Sequence, residues 1–182
     1  MLIKKRTIIY TPFKNYSSSL IAYFGDLGWN NLPTLHPQIT GDLWNNGPWY
    51  QQCGLHGNVV PNRFQSFTKI LPIRNPYERL ISAWRFHLKT IPSQDNMTFD
   101  QYLEINGRSP AAFPVSRFFS HDAIVRVEHL VEDFAALGYE INNFPHKNKS
   151  DSQNFRDCLN QRQKEIIQWW HKEDFDAGGY ER

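Results

Sequence analysis

The segment that most constrains the fold is Ile70–Trp84, which reads ILPIRNPYERLISAW. Its first four residues are apolar and partly β-branched, a pattern that favours a buried strand. The next three, Arg74-Asn75-Pro76, are typical of a turn, and an amphipathic helical pattern begins directly after the proline. A strand, a tight turn and a helix in this order direct Arg74 and Ser82 toward one point beyond the carboxyl end of the strand.

An arginine fork and a hydroxyl form a suitable pair for binding a phosphate group. The same residues also suit a structural role, with Arg74 in a buried ion pair and Ser82 on the helix surface. The segment taken alone leaves both interpretations open.

Strand and helix patterns alternate along the chain, which indicates an α/β fold with a central, mainly parallel sheet flanked by helices. The predicted strands are Thr7–Thr11, Lys69–Ile73 and Ala123–Val127, with short extended pieces around Leu32–Leu35 and in Leu55–Asn62. The predicted helices are Ser19–Gly25, Tyr77–Lys89, Phe99–Ile105, Val131–Leu137 and Gln161–Lys172. The pattern contains no repeat and no long linker, so we expect residues 1–182 to form one domain, with ligands bound beyond the carboxyl ends of the strands.

The charge is nearly balanced, with 20 Lys+Arg against 18 Asp+Glu. This balance argues against a general nucleic-acid-binding surface, so any anion site must be local. Cys53 and Cys158 form no CxxC motif and predict free thiols, with a single bridge as the alternative, and no metal site is expected. The start, MLIKKRTIIYTPF, is too briefly apolar for a signal peptide or a membrane span, so we expect a cytoplasmic protein.

A second candidate anion site lies between the first predicted strand and the first predicted helix, in Lys14-Asn15-Tyr16-Ser17-Ser18-Ser19. A loop that enters a helix there presents unpaired backbone N–H groups and a positive dipole end. The serines add hydroxyl donors and Lys14 adds a charge, which suits a phosphate-like group. The loop contains no glycine and so differs from the ATPase P-loop. A serine cap beside a solvated lysine is the structural alternative.

Together these two segments resemble the sulfotransferase superfamily, and most closely its carbohydrate and membrane-type branch. That family binds 3′-phosphoadenosine 5′-phosphosulfate (PAPS) in a P-loop-like fold, with a K-x-x-x-[ST]-S-L-like loop at the 5′ end. It holds the 3′-phosphate with an R-[ND]-P-x-x-R-x-x-S segment. Three later segments are also similar to family patterns and follow in the right order: Val127–Phe134 (VEHLVEDF), Pro145–Ser150 (PHKNKS) and Asp174–Tyr180 (DFDAGGY).

The resemblance implies a role for each matched residue. The 5′-phosphosulfate is bound by the first loop, with Lys14 on the bridging oxygen: Lys14, Asn15, Tyr16, Ser17, Ser18 and Ser19. Arg74 and Ser82 hold the 3′-phosphate, and Lys147 closes over the nucleotide. The matched carboxylates are expected to be structural: Glu128, Asp133 and Asp174.

The catalytic base is expected to be His56. Leu55–Val59 (LHGNV) is similar to the H-G-H-V segment of the uronyl 2-O-sulfotransferases, in which the second histidine is usually assigned as the base. That position is Asn58 here, and an amide cannot accept the proton. His56 then takes over the role or orients the substrate, and His36 and Asp42 are the alternatives.

The chain is therefore predicted to transfer the sulfuryl group of PAPS to a hydroxyl or amine, and a carbohydrate is the expected acceptor. Aromatic residues in the intervening stretch could stack on sugar faces or pack in the core: Trp44, Trp49 and Tyr50. Two departures, Tyr16 in the phosphate loop and Asn58, favour an alternative in which the chain binds a nucleotide without turnover. A P-loop-like kinase is less favoured, because the chain has no G-K-[ST] motif.

Overall fold

The computed structural model describes residues 2–12, 17–31, 64–91, 95–105, 114–144 and 155–182. The strands are β1 (Leu2–Lys4), β2 (Thr7–Ile9), β3 (Asn30–Asn31), β4 (Thr68–Ile73) and β5 (Ala123–Arg126). The helices are α1 (Ser17–Asp26), α2 (Pro76–Thr90), α3 (Phe99–Ile105), α4 (Val115–Phe118), α5 (Leu130–Ala136), α6 (Gln161–Trp170) and α7 (Lys172–Gly178). Short 3-10 turns lie at Val127–His129 and Phe155–Cys158.

The described strands form one sheet in the order β3-β1-β2-β4-β5. β4 pairs in parallel with β2 on one side and with β5 on the other. β1 runs antiparallel to both β2 and β3, so four of the five strands point the same way. The predicted α/β class, with a mainly parallel sheet flanked by helices, is confirmed.

The first strand of the sheet was not predicted from the sequence. The expected strand Thr7–Thr11 is the shorter β2, and β1 precedes it in a hairpin whose register pairs Lys4 with Thr7. The two connecting residues, Lys5 and Arg6, have φ values of 46° and 60°, the left-handed region that a two-residue hairpin turn requires. Glycine and asparagine usually fill such positions, and their absence left this hairpin without a sequence signal.

Helices cover both faces of the sheet because alternate side chains of each strand point to opposite faces. One face packs on α1 and α5 through buried apolar residues: Leu2, Ile9, Leu20, Phe24, Ile70, Val125, Leu130 and Phe134. The other face packs on α4 and the residue that follows it: Ile3, Ile8, Tyr10, Leu71, Ile73, Val115 and Phe119. A third cluster joins α2, α3, α6 and α7: Tyr77, Leu80, Ile81, Tyr102, Leu103, Ile167 and Phe175.

The starts of three helices are capped by local hydrogen bonds. Asn75 Oδ1 accepts from the amide of Tyr77 at 3.0 Å at the start of α2. Before α3, the amide of Gln101 donates to Thr98 Oγ1, so Thr98 caps this helix. Asn160 and Gln163 form a reciprocal capping box at the start of α6. The predicted strand Lys69–Ile73 and the predicted helices at 77–89, 99–105 and 131–137 match the observed elements to within one residue at each end.

The predicted C-terminal helix, Gln161–Lys172, is wrong as a single element. α6 ends at Trp170, His171 has a non-helical backbone (φ −113°, ψ 23°), and α7 follows. The sequence carries no proline or glycine at this break. The cause is tertiary, since His171 is buried completely against residues of other helices.

Two further expectations concern cysteine and the membrane. Cys158 is exposed and free, and Cys53 lies outside the described residues. The extended pieces predicted around 32–35 and at 55–62 also lie outside them.

Within the described part of the chain, no helix combines the length and the apolar character that crossing a membrane requires.

Candidate functional site

Three turns of the chain leave the sheet at one edge, because β2, β4 and β5 are parallel neighbours. The register aligns Ile73 with Arg126, so the turns after β4 and β5 begin side by side. It aligns Ile9 with Ile70, so the residues that follow β2 lie beside the end of β4. The N-terminus of α1 lies at the same edge, since Leu27 beyond its other end accepts a hydrogen bond from Lys4 at the opposite edge. Ligands of parallel sheets bind at such an edge.

The turn after β4 presents the start of α2 to this edge. Asn75 is the N-cap and Pro76 is the first helical residue, a position that needs no backbone donor. α2 extends over 15 residues, so its peptide dipoles place a partial positive charge at the turn. The turn therefore offers a favourable environment for an anion.

Arg74 lies just before α2, and Ser82 lies within the helix. Glu78 and Ser82 are four residues apart in α2, which places them on one helix face, whereas Arg74 precedes the N-cap Asn75. The Arg74 guanidinium is paired with Glu78, with 2.8 Å between Nη2 and Oε2, and only 11% of the Arg74 side chain is exposed. Ser82 is half-buried. The pair of Arg74 with Glu78 is the largely buried ion pair that the structural interpretation of the sequence had included.

Glu128 braces the turn that carries Arg74. It follows β5, and its Oε1 accepts from the amide of Asn75 at 2.9 Å. Its Oε2 accepts from the Tyr180 hydroxyl at 2.7 Å, and the same hydroxyl lies 3.3 Å from the carbonyl oxygen of Ile73. These contacts confirm the predicted structural role of Glu128.

Asp133 fixes the end of β5. Its carboxylate accepts from Nε, Nη2 and the backbone amide of Arg126 at 2.7–2.9 Å. The side-chain hydrogen bond from Arg126 is the main cause that lowers the pKa of Asp133, and the same bond raises the pKa of Arg126. The structural role predicted for Asp133 is confirmed.

A buried charged network anchors α2 beneath the turn. The Arg79 Nη2 atom lies 3.2 Å from Asp174 Oδ2 and 2.9 Å from His171 Nδ1. Asp174 also accepts from the backbone amides of Val115 and Ser116 and from the Ser116 hydroxyl, at 2.6–3.0 Å. The predicted structural role of Asp174 is confirmed, and Arg79 is wholly buried with it.

Burial and pairing set the protonation of this network. Burial lowers the pKa of His171 to about 4. Because an arginine can only donate, Nδ1 of His171 is the acceptor, and the neutral ring carries its proton on Nε2. Burial acts to raise the pKa of Asp174, but the Arg79 charge and the surrounding hydrogen bonds outweigh it and lower the pKa to about 2. The network is thus a neutral histidine beside an ion pair at neutral pH.

The structure describes part of the predicted site. Of the first loop, Ser17 begins α1, Ser18 is exposed and Ser19 is buried, at 1% exposure. The remaining candidates fall outside the described residues: Lys14, Asn15, Tyr16, His36, Asp42, Trp44, Trp49, Tyr50, His56, Asn58 and Lys147. Within the described ranges, no group of three or more His, Cys, Asp or Glu side chains is arranged to hold a metal ion.

Sequence reasoning missed the contributions of His171 and Tyr180. Both act through contacts with residues far away in the chain, His171 with Arg79 and Tyr180 with Glu128. The glycine pair before Tyr180 was the one local signal of a tight reversal.

Comparison with known proteins gives one match. A family model described as "Sulfotransferase family" matches residues 49–177, more than two thirds of the chain. The matched range includes Arg74, Ser82, Glu128 and Asp174, and it begins after the first loop. Neither the curated proteins nor the solved structures include a match to this chain.

Proposed function

The chain belongs to the sulfotransferase family, and from that premise we propose that it transfers the sulfuryl group of PAPS to a hydroxyl or amine of a carbohydrate. Family membership supports sulfuryl transfer in general. The donor and the acceptor are our proposals, and the geometry at the carboxyl edge of the sheet is the observation that carries the donor.

The described residues fit a nucleotide that ends in a 3′-phosphate. The group carries a concentrated negative charge, and the N-terminus of α2 provides the positive end of a helix dipole for it. Arg74 adds a guanidinium just before α2, and Ser82 adds a hydroxyl on the second turn of the helix. Glu78 holds the Arg74 guanidinium at this turn, so we expect the phosphate to share Arg74 with Glu78.

The first loop would hold the other end of the donor. It joins β2 to α1, and the helix therefore begins beside the turn of Arg74 at the same edge. Ser17 and Ser18 lie in the first turn of α1, where backbone N–H groups have no partner within the helix. We propose that these groups, with Lys14, bind the 5′-phosphosulfate.

The donor supplies the sulfuryl group, and its bisphosphate part is the leaving group. The acceptor oxygen or nitrogen forms a bond to sulfur, and the bond from sulfur to the bridging oxygen breaks. We propose that Lys14 stabilises the negative charge that develops on this bridging oxygen. A base must take the acceptor proton as the new bond forms. His56 is the proposed base, and His36 and Asp42 are the alternatives.

The acceptor is proposed from residue types. The stretch between β3 and β4 contains Trp44, Trp49 and Tyr50, whose rings present flat apolar surfaces to a sugar face. A carbohydrate also fits the branch of the family that the motifs resemble.

A second candidate function is nucleotide binding without turnover. Two observations favour it: Asn58 replaces the histidine expected as the base, and Tyr16 replaces a small residue of the phosphate loop. In this case the donor site retains its affinity, but no sulfated product forms.

Thermal unfolding with adenosine 3′,5′-bisphosphate tests the donor site. A ligand at 100 times its Kd adds about 2.7 kcal/mol of stability, which for a chain of this size corresponds to an increase in Tm of roughly 5–10 °C. We expect this shift with the bisphosphate and a much smaller one with ATP or adenosine 5′-monophosphate at equal concentration. A larger shift with ATP would favour a kinase, and no shift with the bisphosphate contradicts the proposal.

A further inference from the structure

The end of the chain folds back onto the turn that carries Arg74. α7 ends at Gly178, and Gly179 follows in the left-handed conformation with φ 62°. A glycine adopts this conformation without strain. The amide of Tyr180 then donates to the carbonyl of Phe175 at 3.0 Å, which completes a Schellman cap. This reversal directs the Tyr180 ring toward the end of β4.

Gly178 makes room for the ring. A Cβ atom added to Gly178 would lie 2.3 Å from Cε2 of Tyr180 and 2.8 Å from Cδ1 of Ile73. Both distances are well below the separation of about 3.5–4.0 Å at which carbon atoms pack. The Tyr180 ring therefore lies against the backbone of Gly178 and the last residue of β4.

The Tyr180 hydroxyl lies beside the backbone that precedes Arg74 and is linked through Glu128 to the backbone that follows it. The hydroxyl donates to Glu128 Oε2 at 2.7 Å and lies 3.3 Å from the carbonyl oxygen of Ile73. The other carboxylate oxygen of Glu128 accepts from the amide of Asn75 at 2.9 Å. The residue immediately after Arg74 is thus held through Glu128 by two linked hydrogen bonds, and the hydroxyl lies close to the carbonyl of the residue before it.

The hydroxyl of Tyr180 keeps its proton in this position. Burial raises the pKa of Tyr180, and the negative charge of Glu128 raises it further. The phenol therefore remains a hydrogen-bond donor at neutral pH.

We infer that Tyr180 and Glu128 are positioning residues for donor binding, because they hold the backbone around Arg74 so that its guanidinium meets the 3′-phosphate. The inference rests on the proposed function, since it concerns the same donor site. A guanidinium binds a phosphate through parallel N–H bonds only within a narrow range of geometry. A loosened turn therefore weakens the contact with the 3′-phosphate and spares the rest of the nucleotide.

The test compares two ligands and two phenylalanine variants by titration calorimetry on the full chain. Tyr180→Phe removes the hydroxyl and retains the ring. Tyr139→Phe is the matched control, since it removes a part-buried hydroxyl that bonds Thr7 Oγ1 at 2.8 Å at the opposite edge of the sheet. The ligands are adenosine 3′,5′-bisphosphate and adenosine 5′-monophosphate, which lacks the 3′-phosphate.

We expect Tyr180→Phe to raise the Kd for the bisphosphate about 3- to 10-fold, in line with one lost hydrogen bond of about 1 kcal/mol. In the same Tyr180→Phe variant, the Kd for the monophosphate stays within twofold of the unaltered chain. Tyr139→Phe changes the Kd of neither ligand. Glu128→Gln, which keeps one acceptor oxygen, gives the same selective loss. In turnover, the KM for PAPS rises and kcat stays within twofold.

Equal weakening of both ligands by Tyr180→Phe overturns the inference, because it indicates general loosening of the fold. An unchanged Kd for the bisphosphate in both Tyr180→Phe and Glu128→Gln also overturns it while the proposed function stands. No binding of the bisphosphate by the unaltered chain contradicts the proposed function itself, and the inference falls with it.

Discussion

The Arg79 guanidinium and the Asp174 carboxylate lie 3.2 Å apart, and only 1% of each side chain is exposed. Arg79 belongs to α2, the helix that begins directly after the turn of Arg74, and Asp174 belongs to α7. The buried ion pair therefore joins α2 to α7. Nearer the surface, the hydrogen bonds of Glu128 to Tyr180 and to Asn75 link the residues after α7 to the start of α2.

Removing the charge of Asp174 should destabilise the fold strongly. Asp174→Asn leaves the buried Arg79 charge uncompensated, and we expect a loss of about 3–5 kcal/mol in the free energy of unfolding. Urea denaturation measures this difference. Glu104→Gln is the control, since Glu104 pairs with Arg162 at 3.3 Å on the surface and should cost less than about 1 kcal/mol. Equal losses of unfolding free energy in the two variants would contradict the claim that the buried pair matters more than the surface pair.

Stability should fall below neutral pH because of His171. Its pKa is about 4 in the fold and about 6.5 when unfolded, so between these values the unfolded chain binds the additional proton. Stability from this group is complete above pH 6.5 and decreases by roughly 3 kcal/mol in total as the pH falls to 4. Urea denaturation between pH 7.5 and 4.5 measures the slope. His171→Gln should flatten it, whereas replacement of the exposed His129 should leave it unchanged.

Arg74 should affect the ligand and hardly affect the fold. We expect Arg74→Lys to weaken binding of adenosine 3′,5′-bisphosphate at least about tenfold, because an ammonium group cannot form the paired bonds of a guanidinium. Stability should change less than affinity, because lysine keeps the positive charge that pairs with Glu78. Arg162→Lys is the control and should leave the Kd unchanged. Retained affinity in Arg74→Lys would count against the proposed phosphate site.

The β1–β2 hairpin offers a stabilising change. Lys5 and Arg6 both occupy the left-handed region, at a cost of about 1 kcal/mol or more each. Lys5→Asn with Arg6→Gly gives the residues that this turn favours and should raise the Tm by about 2–6 °C. Lys5→Ala is the control, which keeps the unfavourable conformation and should bring no gain. If the Tm of the double variant does not rise, the claim that Lys5 and Arg6 are conformationally strained is contradicted.

The sequence predicts local elements well where local signals are strong. The apolar run and the turn around Arg74 determine β4 and α2, and the Thr98 cap determines α3. The start of the sheet has no such signal, because β1 is three residues long and its turn is basic. The break between α6 and α7 at His171 likewise could not be predicted from the sequence, since it depends on the burial of His171 against Arg79.

In the candidate site, too, features within one segment could be predicted from the sequence, and contacts between distant segments could not. The order of strand, turn and helix correctly places Arg74 at the carboxyl end of β4 and Ser82 on α2, because local patterns determine both elements. The hydrogen bonds of Glu128 could not be predicted in this way, because they join residues far apart in the sequence. Asn75 is 53 positions away from Glu128, and Tyr180 is 52. Such contacts follow from the order of strands in the sheet, and no local pattern contains that order.

Turnover with PAPS tests the central claim most directly. The purified chain is incubated with PAPS and a set of unsulfated glycans, and both adenosine 3′,5′-bisphosphate and sulfated glycan are quantified by mass spectrometry. We predict equal amounts of the two products from the unaltered chain and none above background from Lys14→Ala. Binding of the bisphosphate without either product from any acceptor, or equal product from both proteins, would contradict it.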